Sequence, residues 1–134
     1  MSRKVNIAAS KKLRKKTITL KKANLYLIAN FNNTILTLTD EKGNAVKQVS
    51  CGTCGFNNTK KSTPHASQTA ILHAIDVATK EFGVEEFSFI IRGPGPGREM
   101  VSIITNYPNI KINSIDDQTC QPYNGTRPRR RRRV

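Results

Sequence analysis

The chain has no tryptophan, only three cysteines and only nine acidic residues among its 134. Each shortage excludes something. Three cysteines are too few, and odd in number, for the disulfide framework of a small secreted domain. There is no apolar run of about 18 or more residues, so no transmembrane helix and no membrane partner are expected. The first residues lack the apolar stretch that marks a secretory signal peptide. Aromatic residues make up 6% of the chain, so base stacking should be secondary in any contact with nucleic acid. Hydrophobic content of 37% points to a modest core, one sheet with a helix layer.

What is abundant is positive charge, and it is concentrated at the ends. Lys and Arg total 23, for a net charge of +14. Residues 1–22 hold nine basic groups and no acid, and residues 127–134 hold six arginines and no acid. The remaining 104 residues carry eight basic and nine acidic groups, a net −1. The charge pattern therefore divides the chain into a basic N-terminal arm (1–22), an α/β core (23–119) and an irregular, Arg-rich C-terminal tail (120–134). Like-charged end blocks are usually disordered until they meet a polyanion. A solubility tail is the bland reading, but two cationic arms on a nearly neutral core favour nucleic acid.

Hydrophobic periodicity gives the order βββαβαβ, an α/β layer with a mixed sheet. Residues 24–31 alternate, with Leu25, Leu27, Ala29 and Phe31 on one predicted buried face. Residues 34–39 and 45–50 flank a turn at 40–44, where Gly43 or Asn44 can take positive φ. Thr63 suits a helix N-cap and Pro64 the first helical position, and Gly83 suits the C-terminal stop. Between them Ile71, Ala74, Ile75, Ala78 and Phe82 form one stripe. Residues 87–92 read as a central strand buried on both faces. A second amphipathic helix is predicted at about 98–107, with Met100, Ile103, Ile104 and Tyr107 inward, and a last strand at 110–115.

Several constellations bear on chemistry. GPGPGR at 93–98 follows a strand and precedes a helix, where phosphate loops sit, but it lacks the Lys-Ser/Thr of a P-loop and the spacing of a dinucleotide fingerprint. Its prolines remove N–H groups that a nucleotide would need. It remains a stiff loop without side chains at Gly93, Gly95 and Gly97, which admits a close backbone and places Arg98 beside a helix start. Cys51 and Cys54 have knuckle spacing, yet a second pair is absent, and they read as small loop residues rather than a metal or redox site. No acid lies on the first strand, and neither histidine has an evident nucleophile partner. No two-metal site, triad or cofactor is therefore expected, and the chain reads as a non-enzyme. The polar and basic loops at 30–34, 57–63 and 124–133 carry the Asn, Ser, Thr, Lys and Arg side chains that reach phosphates and 2′-hydroxyls.

Those loops also carry a resemblance. FNNTILTLTDEKGN (31–44), GFNNTKKSTPHASQTA (55–70), GPGPGRE (93–99) and YNGTRPRRRRRV (123–134) closely resemble the bacterial and organellar type of the universal small-subunit ribosomal protein eleven family. The match is in order and covers about residues 20–134. It departs from the family pattern at Cys51, Cys54, His65 and 123–126. The resemblance implies a ribonuclease H-like layer without the nuclease's acids. It implies a structural protein of the small-subunit platform, binding small-subunit rRNA of the central domain and the 3′ end, near the mRNA exit and E-site. Proteins six, eighteen and, where present, twenty-one would be its neighbours.

By match, the RNA-contacting positions are Asn32, Asn33 and Thr34 after strand one; Lys60, Lys61, Ser62 and Thr63 at the helix entry; Gly93, Gly95, Gly97 and Arg98 in the glycine loop; and Asn124, Gly125, Arg127, Arg129, Arg130, Arg131, Arg132 and Arg133 in the tail. Asn124-Gly125 can also close to a succinimide and open to isoaspartate, a modification that the resemblance implies at Asn124. Asn (12), Ile (13) and Lys (13) make 38 of the 134 residues, a bias of A+T-rich genes. With the divergence, this points to a mitochondrial ribosome, with plastid and bacterial cytoplasm as alternatives. An acid-free arm is common to transit peptides and to rRNA-binding extensions.

Overall fold

A computed structural model describes residues 18–108 and 110–134. The basic arm predicted at 1–22 therefore lies mostly outside the described residues. Five strands and two helices follow in the expected order: β1 (Lys22–Ala29), β2 (Thr34–Thr39), β3 (Ala45–Ser50), α1 (Pro64–Phe82), β4 (Glu86–Arg92), α2 (Val101–Ile104) and β5 (Lys111–Asp117). Short 3₁₀ turns at Asn58–Ser62 and Pro96–Met100 lead into the two helices.

The sheet order is β3-β2-β1-β4-β5. The first three strands form an antiparallel meander, and β4 and β5 run parallel to β1. This is the mixed ribonuclease H-like layer the sequence predicts. One face of the sheet presents Leu25, Leu27, Leu36, Phe87, Phe89 and Ile91 to the helices, all buried. The helix α1 meets them with Ala66, Ala70, Ile71, Ala74, Ile75 and Ala78. Four alanines at i, i+4 spacing let the helix lie close to the sheet, and the isoleucines fill the space beside it. Thr63 caps α1 by accepting from the Ala66 N–H at 3.3 Å, and Gly83 ends it at φ +67°, as expected.

Four expectations need correction. The first strand starts and stops two residues early. Its alternation does continue to Phe31, but the Asn30 N–H bonds the Asn33 carbonyl at 2.9 Å, so the chain has already turned. Phe31 is 70% exposed instead of buried. The second helix is a single turn. Pro108 disfavours helical geometry at Tyr107, and the last N–H groups, of Asn106 and Tyr107, bond three residues back. Val101 and Ile104, three apart on this single turn, are buried and Met100 packs against the core, while Ile103 and Tyr107 are exposed. The central strand β4 has neighbours on both sides, but its face away from the helices is buried only at Ile90. On that face Arg92 sits 6.0 Å above the Tyr26 ring. The last strand runs on to Asp117, past a register shift opposite Phe87/Ser88.

Candidate nucleic-acid interface

Strand polarity decides which loops meet. Ala29 pairs with Thr34, Ile28 with Arg92 and Ile35 with Ser50. The β1–β2 turn, the exit of β3 and the exit of β4 therefore share one end of the sheet. The first turn of α1 joins them, because the Thr34 and Ser67 hydroxyls bond each other at 2.8 Å in the interior. A Cβ on Gly97 would fall 2.4 Å from the Thr34 oxygen and 3.0 Å from the Ser67 oxygen. The loop after β3 is tied in through the Cys51 N–H to the Thr34 carbonyl at 3.2 Å, and Phe56 meets His65 edge to face. Segments separated by up to about 70 residues thus converge on one surface.

The glycine loop owes its composition to this packing. A Cβ on Gly93 would lie 2.3 Å from the Ala29 carbonyl oxygen, and one on Gly95 would lie 2.3 Å from that of Asn30. The Gly95 N–H bonds the Ala29 carbonyl at 2.9 Å. The backbone that approaches these glycines so closely is the protein's own. Gly95 and Gly97 are buried, and Pro94 is the residue the loop turns to solvent.

The predicted site residues are placed as follows. Asn32 and Lys60 are exposed, and Asn33, Lys61 and Ser62 are half-buried, around the shared end. Asn33 accepts from the Thr34 N–H at 2.9 Å through its side chain. Thr63 is exposed, but its hydroxyl serves as the cap and donates to the Lys60 carbonyl at 2.8 Å. Thr34 is buried, with its hydroxyl engaged by Ser67. Residues 120–134, with Asn124, Gly125 and the arginines, form no helix or strand, and most of them are exposed. Asn124 takes a left-handed φ of 51°.

Arg98 lies half-exposed at the surface, engaged in a latch that sequence reasoning missed. Its guanidinium donates to the Asp117 carboxylate and to the Gly93 carbonyl. Asp117 also accepts from the Thr119 N–H at 3.1 Å and hydroxyl at 2.6 Å, and the Gly93 N–H bonds that hydroxyl at 3.3 Å. The Gln118 N–H bonds the Ile91 carbonyl at 2.9 Å, and Arg92 reaches the Gln118 side chain at 3.0 Å. The root of the tail is thereby fixed to the end of β4. The Thr119 bonds, and then Arg98, hold the Asp117 carboxyl below the ordinary aspartate range. The latch therefore persists above that range and is lost only as pH falls through the lowered folded value. At neutral pH, Asp117→Asn should accelerate amide hydrogen exchange at Gly93 and Thr119 and leave α1 amides unchanged. Equal exchange in both proteins would mean that the carboxylate is not the fastener.

The opposite end of the sheet carries charges of both signs. Three of its acids are held by neighbours: Glu86 by Lys22 at 3.1 Å, Glu81 by Lys47 at 3.8 Å, and Asp40 by the Lys42 and Asn44 N–H groups. Glu86 and Asp40 are lowered in pKa chiefly by side-chain hydrogen bonds, from Asn113 and Asn44 respectively. Of the cysteines, Cys51 is buried in the core, Cys54 is half-buried with its thiol raised by burial, and Cys120 is exposed. Among the described residues no group of three or more His, Cys, Asp or Glu side chains is placed to hold a metal.

The sequence signature of the ribosomal protein S11 family matches residues 23–133. The chain belongs to that family. Small ribosomal subunit protein uS11 of Wigglesworthia glossinidia brevipalpis is 42% identical over the full length of both chains. That of Francisella tularensis subsp. novicida is 42% identical over 96% of this chain and 98% of its own. That of Chromobacterium violaceum is 46% identical over 82% of this chain and 83% of its own. The family is one of structural ribosomal proteins, not of enzymes, and this member is a component of the small ribosomal subunit that serves translation together with rRNA and other ribosomal proteins.

Proposed function

We propose that the loop end of the sheet and the arginine tail are the rRNA-binding surface, and that it seats the protein on the platform of the small subunit. The observation that carries this reading is the convergence of the 30–34, 57–63 and 93–98 loops with the latched root of the tail. Asn32, Asn33, Lys60, Lys61 and Ser62 meet the RNA there by shape, through phosphates and 2′-hydroxyls. Asn124, Gly125, Arg127 and the arginines from 129 to 133 thread between rRNA helices. The central domain and 3′ end of the rRNA, the mRNA exit side, and proteins six, eighteen and twenty-one are the surroundings that the family resemblance supports. The arm at 1–22 and the tail at 120–134 act as RNA-binding extensions of the core, and Asn124 is the site of isoaspartate formation. The relatives named above are bacterial, so we place the protein in a bacterial-type ribosome; they lend no support to the mitochondrial placement that composition favoured.

Co-sedimentation tests the reading. The protein should remain on small subunits after a high-salt wash, and a Lys60→Ala, Lys61→Ala double variant should wash off at lower salt, with the salt slope of binding reduced by about 1–2. Recovery of the wild-type chain free of subunits would favour a free-standing RNA chaperone. Cleavage of RNA with Mg²⁺ or Mn²⁺ would favour a nuclease.

A further inference from the structure

Phe31 is the most exposed large apolar side chain between β1 and β5 among the described residues. It stands at the tip of the β1–β2 turn, between Asn30 and Asn32, on the loop end of the sheet. Water contact forfeits the free energy that burial of a phenylalanine would give. The turn cannot fold inward to recover it. Gly95 lies directly behind, with room for no more than a hydrogen against the Asn30 carbonyl. The Asn30 N–H to Asn33 carbonyl bond and the Asn33 side-chain bond to the Thr34 N–H, both 2.9 Å, close the turn on itself. The ring is thus presented outward by a preformed scaffold.

The surroundings choose the occupant. An aromatic hot spot for a protein partner sits in a cluster of apolar groups. Phe31 instead has asparagine on both sides, at the end of the molecule that carries Lys60, Lys61 and the tail. A flat apolar ring flanked by carboxamides that can bond an edge matches an unpaired nucleobase. We propose that Phe31 is a stacking platform for an unpaired base of the small-subunit rRNA. This rests on the reading of the loop end as the RNA-binding surface and adds to it a contact with a base rather than with the backbone.

The chain contains no tryptophan, so Phe31→Trp installs a single reporter. Small-subunit particles reconstituted without this protein are supplemented with the Phe31→Trp variant, and its emission is taken as the difference from particles holding the wild-type chain. Stacking on a base quenches that emission several-fold without a blue shift. In the same particles Phe31→Ala weakens incorporation about 5- to 150-fold, the range for loss of one stacked base, while Phe31→Tyr stays close to wild type. Thermal melting of the free variants should be unchanged, because the ring is exposed. Unquenched indole emission from a fully incorporated Phe31→Trp variant overturns the proposal, and a blue shift without quenching overturns it in favour of a protein neighbour. Failure of the wild-type chain to bind particles would instead reject the RNA-binding reading itself, and the two failures are told apart by the incorporation assay.

Discussion

Gly95→Ala should lower the melting temperature of the free protein by about 12–24 °C, a loss of roughly 3 kcal/mol. The cause is purely steric. Gly95 has φ −69° and ψ 165°, which alanine adopts without strain. Its new Cβ, however, would sit 2.3 Å from the Asn30 carbonyl oxygen and 2.6–2.7 Å from the Asn30 and Ala29 carbonyl carbons. All of these are backbone atoms at the end of a central strand, so neither side yields by a rotamer change. The contrasting variant is Gly43→Ala. That position has φ +88° and open space around it, so only backbone strain is added. A loss of about 1 kcal/mol, or about 4–8 °C, is expected there. Scanning calorimetry of the two variants separates the causes. Equal shifts would show that the glycine loop is not wedged against β1. Because the wedge also backs the turn that carries Asn32 and Asn33, Gly95→Ala should reduce incorporation into small subunits beyond what the loss of stability alone explains.

Deletion of residues 129–133 should reduce the salt slope of rRNA binding by roughly 4. Five guanidinium groups are removed, and each phosphate neutralised contributes about 0.7–0.9 to the slope. Affinity at low salt should fall by orders of magnitude, while the melting temperature of the core should not move. The second expectation follows from the structure, in which these residues are exposed and form no helix or strand. Shape-dependent binding through the loop end should survive as a weaker, less salt-sensitive component. A truncated chain whose slope equals that of the full chain would remove the tail from the account.

Local features were legible in the sequence. Residues 34–39 and 45–50 are strands as bounded, and Thr63, Pro64 and Gly83 bound α1 as predicted, because each of these signals acts within a few residues. The failures are of another kind. The alternation from Leu25 to Phe31 is unbroken in the sequence, and what stops the strand is a turn backed by a loop more than 60 residues away. Of the inward pattern assigned to Met100, Ile103, Ile104 and Tyr107, Ile104 is buried and Met100 packs on the core, whereas Ile103 and Tyr107 are exposed, because a 3₁₀ turn precedes a helix of one turn and the pattern assumed about three. Thr34 and Arg98 were assigned to RNA contact by their match to the family's motifs. Their partners Ser67 and Asp117, 33 and 19 residues away, engage both: Thr34 in the interior, Arg98 in a surface ion pair. The glycines illustrate the same limit: their spacing announced a close approach, but not that the approaching backbone was β1 of the same chain.

The central claim is that one end of the sheet faces the RNA. Ultraviolet cross-linking of protein to rRNA in intact small subunits, read residue by residue by mass spectrometry, tests it most directly. The account predicts cross-links at Phe31, Asn32, Lys60, Lys61 and along the tail from Tyr123. Cross-links concentrated instead at the 40–44 turn and around Glu81 to Glu86, with the loop end silent, would contradict it.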